Sequence, residues 1–349
     1  MRTDDSATAA GTIATESAPP TPPTFRDVLS ARTRIAPYLP RTPMFEYPAL
    51  SALVGATVFV KHENAQPTGA FKVRGGINLV SRLPRDARGR GVVAYSTGNH
   101  GQSIAYAARL FGVPVRIVLP EESNPGKVAA LRALGAEVVF HGAKFDDARR
   151  HAERLARERG YRLVGAANEP LLIAGVATEA LEMLEDQPDL DAILVSVGGG
   201  SGAAGACVVT SAVAPGCRVI AVQSSSSPAG HDSWRAGRCV ERDNATFAEG
   251  LATGAGFDLT QRILRDHLFD FALVEDEEIR QAMIWMLERA HTLAEGAGAA
   301  PLAAAYKLRD RLQGLKIGVV CSGGNSSLEH LELALARRGG DVVRPRAAP

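Results

Sequence analysis

Ile193-Leu194-Val195-Ser196-Val197-Gly198-Gly199-Gly200-Ser201-Gly202 is the stretch that decides the fold. Five strand-forming residues run straight into a glycine turn. In open α/β sheets a ligand sits beyond the carboxyl end of such a strand. Working outward, short apolar strands recur at 57–61, 91–96, 113–119, 136–141, 219–223, 271–274 and 317–321. Helical patterns lie between them at 101–111, 146–159, 173–184 and 277–291; in the first, Ile104, Ala105, Ala108 and Phe111 share a stripe. Strands of this kind joined by helical crossovers make parallel sheets covered on both faces. The sequence therefore predicts an α/β protein with two three-layer αβα domains and mostly parallel, twisted sheets.

The strands beginning at 91, 113 and 136 are closely and evenly spaced, which predicts a small domain over residues 90–165. Residues 25–89 and 166–349 would form the large domain. Residues 1–24 are rich in Ala, Thr, Ser and Pro and read as a disordered tail; they have no apolar centre and are not a secretory signal. Residues 344–349 look similarly loose.

The composition narrows the function. The chain has 349 residues, 46% of them hydrophobic, enough for a large buried core. Its formal charge is +1, so no broad positive field draws in nucleic acid or an anionic membrane. No apolar run approaches the length of a membrane span. The cysteines, Cys207, Cys217, Cys239 and Cys321, show no CxxC spacing. A reduced, cytoplasmic compartment is the simplest reading, without a thiol-bound metal.

Four motifs carry chemistry. Lys72 is one of six lysines, beside Lys61, Lys127, Lys144, Lys307 and Lys316. It follows the Pro67-Thr68-Gly69 turn and falls in the first turn of a helix, where the positive dipole end and partial burial lower an amine pKa. Such an amine suits Schiff-base chemistry, although a surface lysine fits the same pattern. Ser96-Thr97-Gly98-Asn99-His100-Gly101 follows a strand and precedes a helix. Its backbone N–H groups make a cradle for a carboxylate, or Ser96 or Thr97 simply caps the helix. The turn 198–202 can wrap a phosphate. A rival exists, because Gly200-Ser201-Gly202-Ala203-Ala204-Gly205 fits the dinucleotide fingerprint G-x-G-x-x-G. That fingerprint expects a carboxylate at the end of the next strand, where this chain has Gln223 followed by four serines. Finally, Cys321-Ser322-Gly323-Gly324-Asn325 follows the last strand, and a hydroxyl there can pair with a heterocycle nitrogen or cap a helix.

Taken together and in this order, the four motifs resemble the fold-type II pyridoxal-phosphate enzymes, which share the fold of the tryptophan synthase β subunit. The serine/threonine dehydratase (ammonia-lyase) branch looks nearest. The resemblance runs from about Phe25 to Leu335 and includes Ile173-Ala174-Gly175, Thr178, Ala180-Leu181-Glu182, Glu249-Gly250-Leu251-Ala252 and Glu295-Gly296-Ala297-Gly298-Ala299. It implies pyridoxal 5'-phosphate as cofactor, Schiff-linked to Lys72, with Phe71 against one face of its ring. It places Asn99 on the phenolic oxygen, and Gly198, Gly199, Gly200, Ser201 and Gly202 on the phosphate. Ser322 would face the pyridine nitrogen. The substrate carboxylate would lie on Ser96, Thr97, Gly98, Asn99 and His100.

The implied reaction is α,β-elimination of water and then ammonia from a β-hydroxy amino acid, giving a 2-oxo acid. Lys72 would take the Cα proton, and the β-hydroxyl would leave protonated by the cofactor phosphate. A serine at the ring nitrogen leaves the ring near neutral and a weaker electron sink, which disfavours transamination. Threonine, serine and bulkier β-hydroxy amino acids are the substrates this implies. β-Replacement of the cysteine-synthase type and racemisation are the alternatives. Cysteine synthases follow their lysine with Asp-Arg, where this chain has Val73-Arg74-Gly75. The racemase branch has a serine as second base where this chain has Thr97, also a hydroxyl, so Thr97 is a second catalytic candidate. Ala70 stands where many members have Ser, and Ser201 where many have a fourth Gly. Several relatives bind a divalent cation starting from a Glu at the Gln223 position, so no metal is expected here. A homodimer in the cytoplasm, handling a small amino acid and neither nucleic acid nor membrane, completes the expectation.

Overall fold

The computed structural model describes residues 20–96 and 98–336. Most of the expected tail, residues 1–19, lies outside the described residues, as do Thr97 and the C-terminal end expected to be loose. Two sheets organise the chain. The larger has six strands: β1 Met44–Glu46, β2 Thr57–His62, β7 Ala192–Ser196, β8 Arg218–Ser224, β9 Asp270–Val274 and β10 Lys316–Cys321, in the order β1-β2-β10-β7-β8-β9. The smaller has four: β3 Val92–Ala94, β4 Val115–Leu119, β5 Glu137–Phe140 and β6 Arg162–Leu163, in the order β5-β4-β3-β6. Every pair is parallel except β1 with β2. The fold class is the α/β arrangement of mostly parallel sheets that the alternating pattern predicts.

Helices cover both faces of each sheet because the strands are apolar on both sides. One face of the large sheet packs Leu194, Ile220 and Val319 against Met283, Met286 and Leu302. The other packs Ile193, Val195 and Val219 against Ala203, Cys207 and Ile263. Each fully buried Leu, Ile or Met contributes roughly 1.5–3 kcal/mol. The small sheet has helix 145–159 on one face. On the other face lies a core that Ile104 and Ala108 share with Val73 and Ile77 of helix Lys72–Val80 and with Ala31 and Ile35 of helix Phe25–Ile35. The segment carrying Lys72 therefore bridges the two sheets.

Two expectations need correction. The helix expected at 173–184 is two helices, Pro170–Val176 and Thr178–Asp186. The break falls where Gly175 packs tightly on the backbone of Arg74 and Gly75, and where the Thr178 hydroxyl donates to the Gly175 carbonyl at 2.7 Å. Strands β1 and β6 are absent from the expected set. They are three and two residues long and form as edges added to strands already present, so pairing with a neighbour rather than a local apolar run defines them. Among the described residues no helix is long and apolar enough to cross a membrane.

Candidate active site

The lysine segment reaches its place through a backbone stitch. Phe71 N–H donates to the Ser322 carbonyl at 3.0 Å, Gly324 N–H donates to the Gly69 carbonyl at 2.9 Å, and Ala70 bridges Gly323. The turn after β10 thus fixes where the helix begins, and that helix begins at Lys72. The Lys72 amine points at the glycine turn and donates to Ser201 Oγ at 2.6 Å. It also lies 4.9 Å from the centre of the Phe71 ring. Burial pushes its pKa down to about 8, against the pull of the Glu179 carboxyl.

The glycine turn follows β7 and opens helix Ser201–Val213. Gly200 has φ +84°, left-handed backbone that favours glycine. A Cβ on Gly198 would strike the Gly250 carbonyl oxygen. The carbonyls of the turn are tied off, Gly198 by Thr253 Oγ1 at 3.2 Å and Gly199 by Thr260 Oγ1 at 2.9 Å. What remains free are first-turn N–H groups, an anion seat by geometry and by dipole.

Asn99 is the first residue of helix Asn99–Leu110. Its amide nitrogen donates to Glu295 Oε1 at 2.6 Å, and its oxygen accepts from Asn325 Nδ2 at 2.8 Å. One amide hydrogen is left for a ligand. Glu295 is half-buried, and desolvation of its carboxyl raises its pKa. Ser96 Oγ accepts from Gly98 N–H at 3.3 Å, folding the turn on itself. The His100 ring faces away from the turn, its Nε2 3.2 Å from the Val164 carbonyl. What His100 can offer a carboxylate is its backbone N–H. Burial first, then the charge of Lys72, bring its pKa down to about 4. Thr97 lies outside the described residues. Ser322 is 6% exposed, with its Oγ 3.3 Å from Ser196 Oγ and no carboxylate hydrogen-bonded to it.

The structure thus brings Lys72, Phe71, Ser201, Ser322 and Asn99 to one place, from four separate stretches of chain. Sequence reasoning gave no role to several residues found there. Glu295 and Glu249 lie inside stretches that carried the family resemblance, but nothing in the local pattern marked what they touch. Asn325 sits in the Ser322 motif and ties it to Asn99. Lys127, on helix Pro125–Ala133 beside the small sheet, pairs with Glu249 from the large-sheet side. The pair stands between a cleft of about 260 Å³ lined by Tyr95, Ser96, Leu119 and Phe145 and a narrower one lined by Gly250, Glu295 and Asn325. Gln223, near the end of β8, is fully buried; its oxygen accepts from His231 N–H at 3.1 Å and its nitrogen lies 3.4 Å from Thr253 Oγ1.

Beneath the site sits a buried ionic quartet. Arg74 pairs with Glu63 and with Glu182, both at 2.7 Å, and Lys61 pairs with Glu182 at 2.6 Å. It locks β2, the lysine helix and helix Thr178–Asp186 together.

These residues fit a phosphorylated pyridine aldehyde. A half-buried amine stands at hydrogen-bond distance from an anion seat that side chains would fill, with a neutral hydroxyl on the third side.

Comparison with known proteins gives the class. Residues 35–323 match the family model of pyridoxal-phosphate dependent enzymes, so the chain belongs to that family. Pyridoxal phosphate is its cofactor, and its architecture is fold type II. Within the family, the chain is 37% identical to the L-threonine ammonia-lyase of Thermotoga maritima over 88% of this chain and 77% of that protein. It is 36% identical to the L-threo-3-hydroxyaspartate ammonia-lyase of Saccharomyces cerevisiae, over 88% and 94% of the two chains. Maize serine racemase superimposes with a TM-score of 0.86 at 32% identity, covering 91% of this chain and 98% of that one.

Proposed function

We propose that this chain is an ammonia-lyase that removes water and then ammonia from a β-hydroxy amino acid, leaving a 2-oxo acid. The observation that carries the reading is the 2.6 Å contact between Lys72 Nζ and Ser201 Oγ, in a chain similar over most of its length to two ammonia-lyases. Bound pyridoxal phosphate supplies the electron sink that makes the substrate Cα–H acidic and the β-substituent a leaving group.

The protein does the rest. The turn of Gly198, Gly199, Gly200, Ser201 and Gly202 would hold the phosphate on its N–H groups, and Phe71 would flank the ring. Ser322 offers the ring nitrogen a neutral hydroxyl. The turn from Ser96 to His100 takes the substrate carboxylate on its N–H groups, Thr97 included. The Lys72 amine, once free, takes the Cα proton at Nζ; its lowered pKa keeps it a competent base near neutral pH. Lys127 and Glu249 straddle the approach and order the substrate's far end. The unit built on the small sheet, residues 90–165, carries the carboxylate turn and closes against residues 25–89 and 166–349. A homodimer in a reducing cytoplasm is part of the same proposal; the unpaired state of Cys207, Cys217, Cys239 and Cys321 supports that compartment.

The test is a panel of threonine, serine and 3-hydroxyaspartate isomers assayed for ammonia and 2-oxo acid. Ammonia from at least one L-isomer is expected. Formation of the D-isomer without ammonia would replace the reading with a racemase, and a thioether from serine plus a thiol would replace it with a β-replacement transferase.

A further inference from the structure

The quartet of Lys61, Arg74, Glu63 and Glu182 is balanced, two cations against two carboxylates. A fifth ionisable group, Glu179, is packed against it and forms no ion pair among the described residues. Glu179 is 1% exposed, and neither carboxyl oxygen has a hydrogen-bond partner. It stands on helix Thr178–Asp186 against the first turn of helix Ser201–Val213, where a Cβ on Gly202 would come within 3.5 Å of its Oε1. The charged groups that face it are Glu63 from the turn after β2, Lys61 from β2, and Lys72 and Arg74 from the lysine helix. Burial, and then the charge of Glu63, raise its pKa well above the carboxylate range; Arg74, Lys61 and Lys72 pull the other way.

A carboxylate in that position is shut off from bulk solvent and has no hydrogen-bond donor among the described residues to stabilise it. A phosphate in the adjacent glycine turn adds negative charge to the same helix end, which makes ionisation harder still. Linkage is reciprocal, so an ionised Glu179 weakens phosphate binding by the factor by which phosphate strengthens its hold on the proton. We propose that Glu179 carries a proton whenever the glycine turn holds a phosphate, and that loss of this proton to solvent loosens the grip on the cofactor. The inference rests on the reading of 198–202 as the phosphate seat. It makes cofactor retention proton-linked through a residue outside the seat itself. Glu179 touches no reacting atom and is a positioning residue.

The experiment uses apoprotein and inorganic phosphate, which forms no bond to Lys72. Affinity is measured by calorimetry from about pH 6.5 to about pH 9.5, on the alkaline side to which burial moves a carboxyl. Wild type is compared with Glu179→Gln and Glu179→Leu. The ionisation of phosphate is common to all three proteins, and the Lys72 titration, which the Glu179 charge influences, is followed in each by the pH dependence of pyridoxal phosphate capture, so the remaining difference in affinity reports on Glu179. Wild-type affinity should fall about tenfold further than that of either variant across the range, a coupling of ordinary allosteric size. Near the alkaline end, titration in two buffers of different ionisation heat should show wild type taking up a fraction of a proton per phosphate that the variants do not. Superimposable curves in the three proteins overturn the proposal, as do variants that bind phosphate more weakly at every pH. If wild type binds no phosphate at any pH, the seat itself is misread and both readings fall.

Discussion

At the residue scale the chemistry turns on what burial does to single ionisable groups. The Lys72 amine titrates near pH 8, where a lysine in water would titrate near 10.4, because burial disfavours the ammonium. The rate at which apoprotein captures pyridoxal phosphate should therefore rise with pH through about 8 and then level off, followed by the growth of visible absorbance. A profile still climbing at about pH 10 would mean the amine is solvated. Lys72→Ala should remove both that absorbance and turnover. His100 gives a stability prediction with a definite sign. Its pKa falls from 6.5 to about 4 on folding, so below 6.5 the unfolded chain binds the extra proton. Stability is then fully present above pH 6.5 and is lost as pH falls towards 4, by about 1.4 kcal/mol per pH unit for this one group. In His100→Asn the slope of denaturant stability against pH should shrink by one proton over that interval. A motif in sequence suggests that Lys72 and His100 matter. It does not reveal that one side chain faces the seat and the other faces Val164.

At the scale of elements, the glycine turn and the ionic quartet hold the site in place. Gly198→Ala would drive a Cβ into the Gly250 carbonyl oxygen, a backbone atom that has nowhere to move. That variant should fold yet bind cofactor at least about tenfold more weakly, measured by equilibrium titration of absorbance. Arg74→Met removes the cation shared by Glu63 and Glu182 and strands buried charge. It should destabilise the protein by about 3–5 kcal/mol in a denaturant titration. The strands and turns of this layer were largely legible, because each is a local pattern: β7 running into 198–202, β10 running into Ser322. The bend at Ala177 was not, because a helix that kinks between two turns keeps nearly the same apolar period on either side. Nor was the quartet, since nothing local to Lys61, Glu63, Arg74 or Glu182 says which of them meet.

At the scale of the whole molecule, two sheets meet where the chemistry happens, and the Lys127–Glu249 pair spans them. Lys127 is 19% exposed and Glu249 56%, so the pair is worth about 0.2–1 kcal/mol to stability. Lys127→Met should leave the unfolding midpoint nearly unchanged while raising KM several-fold with a smaller change in kcat. The same rise in KM should follow added salt in wild type, because the pair is screened. An equal loss of stability and activity would assign Lys127 to the scaffold alone.

The sequence by itself determined the α/β class, the places along the chain of eight of the ten strands described, the lysine that opens a helix and the glycine turn that follows a strand. Each of these is written within about ten consecutive residues, and strand pattern, turn chemistry and helix start are short-range properties of the chain. Tertiary structure alone decided which distant groups meet. Lys72 and Ser201 are 129 residues apart, Asn99 and Glu295 are 196 apart, and Glu179 reaches its dry position only when two helices close over it. Those encounters, and the pKa shifts that follow, depend on which surfaces lose water on folding, a property of the packed molecule that no local stretch encodes.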